Sequence, residues 1–545
     1  MRACQQHNRS LPAKYIRALL LIYGIFNAAL YSSLLPLWEG FDEEFHYGYV
    51  QYLGAHHRFP VLGPTALSLE INRSIGLLPM SYIMIRNVRL KGVRTFDQYF
   101  ALDSATRHSL YNEALSIPTD LRLSESAQYY TNYEVHHAPL AYLLMAIPDS
   151  LMSRVPLPRR VWIVRLLASM ACVWLMFRGM WALGVEAGLD ERFTAVLAFL
   201  MFSCQMFWAT VAHIGNDWLA VPLAVWLIVW ALRRNAVWLA VILGLGLLSK
   251  AYFLVFVPLY LLAAIFWYRK RDLLTLFAIP AILAGPWYSR NLMLYGNLSG
   301  RVEESNGVTT AGALQSLVSI PWLKSIPFMA RGAFWMGNSS FTDFSISTMN
   351  TVLLLLVIAL VLYVKSLYPG EADRRSLWSA RLRSSRVFTP ALGRDAFLWA
   401  PVVLFCGAMI YVTGSSYSFT KGEATAASPW YLQAVMPMLL CMAMLGCRRS
   451  GRLGRWIAMG SAVLWGYILA ATYVAKLIPL YGGFAGGRST LRDLGAWYLS
   501  DWSRTSDILN TTAMVPAAVL LTLLAILLTI LAATVVALLR NRASF

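Results

Sequence analysis

Apolar runs long enough to cross a bilayer recur from one end of this chain to the other, and that repetition constrains the fold more than any single residue does. They lie near 18–38, 161–182, 193–212, 218–232, 236–249, 251–267, 272–288, 348–364, 396–414, 429–447, 456–478 and 512–538. The expected fold is therefore all-α and polytopic, with about twelve membrane helices and a range of 11–13. Of 545 residues, 58% are hydrophobic and 13% charged. A formal net charge of +19 would point to nucleic acid in a soluble chain. Here, with the N-terminus placed inside, the loops at Arg233–Arg234, Arg269–Arg271, Lys365–Arg394 and Arg448–Arg455 all become cytoplasmic, and each is basic. The charge follows topology, and no nucleic-acid partner is implied.

Two stretches do not fit a simple alternation. Residues 138–153, APLAYLLMAIPDSLMS, are apolar but short and carry Pro148, which predicts an amphipathic or re-entrant piece on the outer side. The runs 236–249 and 251–267 are also short, yet their outer flanks both read as cytoplasmic, so two crossings are needed between them and Lys250 at the turn faces outward. None of the six cysteines falls in an outer loop, so no disulfide framework is expected. Lys14 and Arg17 before the first run imitate a secretion signal, but the apolar stretch continues to Trp38 without a small-residue cleavage site and reads as a retained span.

The polar mass is asymmetric. Outside lie a first loop, 39–160, and the loops 289–347, 415–428 and 479–511; inside, only 365–395 is long. Its arginines, Arg374, Arg375, Arg381, Arg383 and Arg386, read as topology and contact with anionic lipid. Chemistry is therefore expected outside. The stretch Leu35–His57 ends the first apolar run and at once presents Asp42, Glu43, Glu44 and His46. If Phe41 to Leu53 is helical, Asp42 and His46 share a face beside the aromatic residues Phe45, Tyr49 and Tyr52. The alternative for these acids is a solvated helix cap with interfacial tyrosines. Later in the same loop, YYTNYEVHHAPLAYLL (129–144) places Glu134, His136 and His137 before a proline and an apolar helix start.

With LWEGFDEEFHYGYVQYL after the first run, that second stretch resembles the polytopic, lipid-sugar-dependent glycosyltransferases of the GT-C superfamily. The protein mannosyltransferase and aminoarabinose transferase types are the nearest in kind. These enzymes carry acids, a histidine and tyrosines in the first outer loop and an E-x-H-x-P-P-L-Y-Y element before the next span. HIGNDW (213–218) is similar to their N-P-D element and GPWYSRNLMLYG (285–296) to their W-Y-x-R-N-x-x-x-Y-G element. ARGAFWMGNSSFTD (330–343) and PWYLQAVMP (429–437) resemble two later segments. The order matches across roughly 15–345. Departures are Ala138 and Ala141 for a proline and a tyrosine, Gly215 and Asn216 for asparagine and proline, and Trp430 for the arginine of R-Y-L.

The resemblance implies a large first outer loop bearing amphipathic helices, and transfer of a sugar, with inversion, from a polyprenyl-phosphate donor to a glycan, lipid or protein acceptor. It implies two regions, a catalytic module over 1–345 and a C-terminal membrane region over 346–545. It also implies a bacterial inner-membrane location with both termini cytoplasmic and membrane lipids as surroundings. Direct displacement at an anomeric carbon needs a base near the acceptor hydroxyl and cations near the leaving phosphate. Asp42 is the base by resemblance, with Glu43, His46 and Asp217 beside it. Arg290 in YSRN, whose guanidinium is a bidentate fork, is the first choice for the phosphate, next to Asn291, with Lys250 and Lys421 as further cations. Glu134, His136 and His137 would bind substrate. The same histidines could instead hold a divalent ion, Mg or Mn, with Glu134, Asp42 or His46, but the spacing matches no dedicated metal motif and no metal is expected. Each has a plainer role: Asp217 as a cap for the span at Trp218, Arg290 as an interfacial anchor, the histidines as packing. Other classes remain open. A lipid-linked polysaccharide ligase or polymerase would share the outer face, and a transporter or flippase would show ionisable residues deep in its spans or paired broken helices, whereas these spans are nearly free of charge.

Overall fold

A computed structural model describes residues 13–87, 90–301, 303, 306–367, 390–484 and 491–540. The five arginines expected in the inner loop, together with Cys4, lie outside the described residues. The described chain is almost wholly helical. Helix α1 (Ala13–Leu34) has no charged residue beyond Arg17 until Glu39, and its 22 residues reach about 33 Å, enough to cross a bilayer. The first loop follows as α2 (Glu43–His56), α3 (Leu69–Leu77), α4 (Tyr82–Asn87), α5 (Phe96–Phe100), α6 (Ser104–Leu115) and α7 (Leu140–Leu151). A short antiparallel pair, β1 (Ala66–Ser68) and β2 (Glu125–Thr131), ties its two ends. Then come α8 (Leu157–Ala187), α9 (Glu191–Ser203), α10 (Gln205–Val211), α11 (Asp217–Leu232), α12 (Ala236–Ser249), α13 (Val257–Trp267) and α14 (Lys270–Tyr295). Long helices over Ile346–Leu367, Pro390–Phe419, Gly451–Thr472 and Ala517–Arg540 complete the bundle.

All twelve apolar runs are helical, and the chain is an integral membrane protein. Seven helices are long and apolar enough to cross on their own, or eight if α9 and α10, bent by 61°, form one span. The helices α11 and α12, at 16 and 14 residues, fall short of that length, as does α7. Leu143, Leu144, Ile147 and Leu151 of α7 are exposed, as expected of an amphipathic piece lying against lipid. The break between α9 and α10 is the one such break among the described helices, so the paired broken helices of a transporter are not seen there. The spans are less free of charge than their composition suggests, because Arg165 lies fully buried near the start of α8. Five described cysteines, Cys172, Cys204, Cys406, Cys441 and Cys447, are free thiols.

One end of the bundle gathers the polar turns. The turn after α1 meets the α10–α11 junction, the segment 337–342, the loop before Met436–Arg449 and the residues around Tyr481. Because each of these follows or precedes a membrane helix, their meeting places residues from distant parts of the chain on one face.

Candidate active site

The turn from Leu35 to Asp42 is held in a costly shape. Trp38 and Asp42 have φ of 63° and 52°, a left-handed region that non-glycine residues enter only when their surroundings compel it. Those surroundings are visible. The Trp38 indole donates to Ser74 Oγ at 2.9 Å, Ser339 Oγ donates to the Gly40 carbonyl at 3.1 Å, and the Ser340 amide donates to Glu39 Oε1 at 2.9 Å. At Gly40 a Cβ would come within 2.5 Å of His213, so only glycine lets the α10–α11 junction approach. Glu39 is fully buried, and burial pushes its carboxyl up to about 8.

The predicted helix after this turn is α2, and Asp42 stands at its N-cap position. It does not cap: its side chain accepts no bond from the first turn and instead takes a 2.6 Å hydrogen bond from the Tyr133 hydroxyl. The solvated-cap alternative therefore fails for Asp42. Burial, with the nearby Glu134 charge next, raises its carboxyl to about 7, while the Tyr133 bond and Lys250 act in the opposite direction. Glu43, one residue on, is fully buried in a two-point pair with Arg165, whose Nε lies 2.6 Å from Oε1, and it also accepts the Ile214 amide at 2.9 Å. Its carboxylate is occupied by the scaffold. Glu44 is also buried, and neither of its oxygens has a partner among the described residues. Burial first and then the charges of Asp42, Glu43 and Glu134 hold it well above the usual carboxylate range.

The second predicted stretch folds against the first. Asn132, fully buried, donates to the Phe45 carbonyl at 2.8 Å and accepts the Glu134 amide at 3.0 Å, which pins the short 3₁₀ turn Tyr133–His136 onto α2. Glu134 Oε2 then lies 2.7 Å from His137 Nε2 and 3.5 Å from His46 Nδ1. Tyr142 donates its hydroxyl to the same His46 nitrogen at 2.8 Å. Burial pushes Glu134 up to about 7 and His137 down to about 3, and it holds His46 well below its ordinary value. Burial keeps these imidazoles neutral, so His137 stands against Glu134 as a neutral neighbour and not as a cation. His136, lowered to about 4 chiefly by burial, turns its Nδ1 to the Tyr133 carbonyl at 2.6 Å.

The cation is Lys250. It leaves the C-terminus of α12 and meets Asp217, the first residue of α11, with Nζ 2.6 Å from Oδ2. Tyr431 and Tyr252 flank the ammonium at 5.0 and 5.5 Å from their ring centroids. Both Asp42 and Glu134 are stabilised as anions by it. Arg290 lies elsewhere. It donates to the Pro60 carbonyl at 2.6 Å and stacks on Trp287 at 4.8 Å, beyond the far end of α2. Asn291 is buried behind His136, both touching the same side of Gly300, and donates to the Leu298 carbonyl at 3.2 Å. Lys421 is exposed in a left-handed turn. Asp42, His46, Glu134, His137, Asp217 and Lys250 thus form one group, whereas Arg290 and Lys421 stand apart from it.

Sequence reasoning passed over Tyr133, Tyr142, Tyr252, Tyr431 and Arg165. Tyr133 and Tyr142 lie within the stretch already singled out, and that was their only signal. Among the described residues no group of three or more His, Cys, Asp or Glu is arranged to hold a metal ion.

No family model matches the chain, and no curated protein matches it. Among solved structures it is similar to ArnT from Cupriavidus metallidurans bound to undecaprenyl phosphate, at 14% identity and a TM-score of 0.44, covering 97% of this chain and 78% of that one. The same protein in the apo state matches at 15% identity and a TM-score of 0.35, covering 81% and 70%.

Proposed function

We propose that this chain is a GT-C-type glycosyltransferase that moves a sugar from a polyprenyl-phosphate carrier to an acceptor hydroxyl on the extracytoplasmic face of a bacterial inner membrane. The observation that carries the reading is Asp42, an uncapping carboxylate without an arginine partner, held in a left-handed turn and aligned by Tyr133. A carboxyl near 7 is well matched to general-base work at neutral pH. In the proposed step the acceptor oxygen attacks the anomeric carbon from the face opposite the phosphate. The carbon–oxygen bond to phosphate breaks, its electron pair leaves with the polyprenyl phosphate, and the hydroxyl proton passes to Asp42. The configuration inverts. Glu134, kept in place by His137 and Asn132, receives sugar or acceptor hydroxyls, with His46 behind it. Lys250 faces the phosphate, and Asp217 positions it. Glu43 serves as an anchor of the turn, and Arg290 acts further out along the carrier.

The decisive experiment incubates the purified protein with a panel of polyprenyl-phosphate sugars and candidate acceptors and follows release of free carrier phosphate. Release from one donor, abolished in Asp42→Asn, supports the reading. Release from none, with intact protein across the panel, removes it.

A further inference from the structure

The short 3₁₀ turn Pro429–Ala434 enters the site from the second half of the chain. Trp430 stands here in place of the arginine of the R-Y-L element. Its ring lies parallel to Phe41, with centroids 4.0 Å apart and planes 13° apart, directly before Asp42 in sequence. That stack sets the turn so that the next residue, Tyr431, lays its ring beside the Lys250 ammonium at 5.0 Å. The Tyr431 phenol lies within electrostatic reach of Glu134, Asp217 and Asp42, and it makes no hydrogen bond among the described residues. Burial and then those three carboxylates keep it protonated. A phenol so placed is a donor and never a base.

We propose that Tyr431 donates a hydrogen bond to the phosphate of the lipid-linked donor, acting beside Lys250. The inference rests on the reading above. As the anomeric bond breaks, the carrier phosphate gains a second negative charge, and Lys250 has already been partly neutralised by Asp217. A second donor aimed at the developing charge strengthens most in the transition state. Tyr431 keeps its proton throughout, since the acceptor's proton goes to Asp42. Lys421, exposed and apart from the group, takes no part.

The test measures binding of a polyprenyl phosphate, and of the matching polyprenol without phosphate, to the full-length protein in lipid nanodiscs. Wild type should prefer the phosphate. Tyr431→Phe keeps the ring over Lys250 and should weaken phosphate binding about ten-fold or more, leaving polyprenol binding unchanged. Equal binding of phosphate and polyprenol by wild type would remove the carrier reading itself. A wild-type preference that survives intact in Tyr431→Phe would overturn this inference alone and leave Tyr431 a packing residue. Should Phe lower the unfolding temperature, Tyr431→His decides, because it restores a flat donor: recovered binding supports the proposal, and lost binding in a stably folded variant rejects it.

Discussion

Two sets of acids share the long loop after α1, and the protein treats them in opposite ways. Glu43, Glu70 and Asp149 are fully buried, and each meets a guanidinium: Arg165, Arg160 and Arg122 respectively. Asp42 and Glu134 meet a phenol, neutral imidazoles and a lysine that is itself shared with Asp217. Arginine is planar, always charged and able to bond twice, so it holds a buried carboxylate in one place. Asp42 and Glu134 lack such a partner, and burial raises both to about 7. The first set holds the loop on the bundle; the second is left free to exchange a proton.

The comparison breaks most sharply at Arg165. Arg165→Leu strands Glu43 as an unpaired buried charge, which costs about 3–5 kcal/mol, and should appear as a large fall in unfolding temperature or in folded yield. Replacing both partners, Arg165→Met with Glu43→Leu, should recover most of the loss, because two apolar groups leave no charge behind. Failure of the double variant to recover would mean that the Ile214 amide and the carbonyls of Leu35 and Pro36, all bonded to this pair, matter more than the charge.

Asp42→Asn should do the reverse. Transfer should fall by about 10²–10⁴-fold with no loss of stability at neutral pH, because Asn removes the cost of ionising a buried carboxyl. In wild type the acid limb of kcat/KM against pH should bend near 7, with activity lost below it as Asp42 takes up a proton. A limb in the ordinary carboxylate range would reassign the base. For stability the sign is opposite to that of a salt-bridged acid. The folded pKa is raised, so the folded state holds a proton longer than the unfolded chain does, and stability falls as pH rises through the interval between the two values.

Glu39 offers a milder test of the same rule. Its carboxyl, raised to about 8 by burial, should make unfolding easier as pH climbs from the ordinary carboxylate range to about 8. Glu39→Gln should flatten that slope while keeping an acceptor for Ser340 and Tyr481. The smallest effect is expected at Arg290. Arg290→Lys loses the planar group that bonds the Pro60 carbonyl and lies against Trp287, and donor use should weaken by less than about ten-fold. Equal activity in Lys and Ala variants would make Arg290 an interfacial anchor only.

Local pattern carried the helices and much of the acid cluster, since i,i+4 spacing and apolar runs are short-range properties of the chain. Asp42 and His46 were legible for that reason, and Glu134 through the family resemblance of its stretch. The left-handed turn at Trp38 and Asp42 was not, because neither of the two left-handed residues is glycine or asparagine and contacts from Ser339 and Ser340 impose it. Arg165 read as one charge in an apolar run, and its partner lies 122 residues away. The choice of Arg290 over Lys250 followed motif and charge geometry; the fold instead sends α12 and α11 into the acid cluster and α14 past it.

The clamp on the turn also sets when the protein can first work. Glu39 takes its hydrogen bonds from Ser340 and Tyr481, 301 and 442 positions further along. A ribosome delivering the chain from its N-terminus hands the first span and the acids after it to the membrane long before those partners exist. Until then the turn that carries Asp42 lacks its contacts with Ser339, Ser340 and Tyr481. A nascent chain is therefore expected to insert with these carboxylates present before the clamp on their turn is complete, and the full clamp forms only late in synthesis.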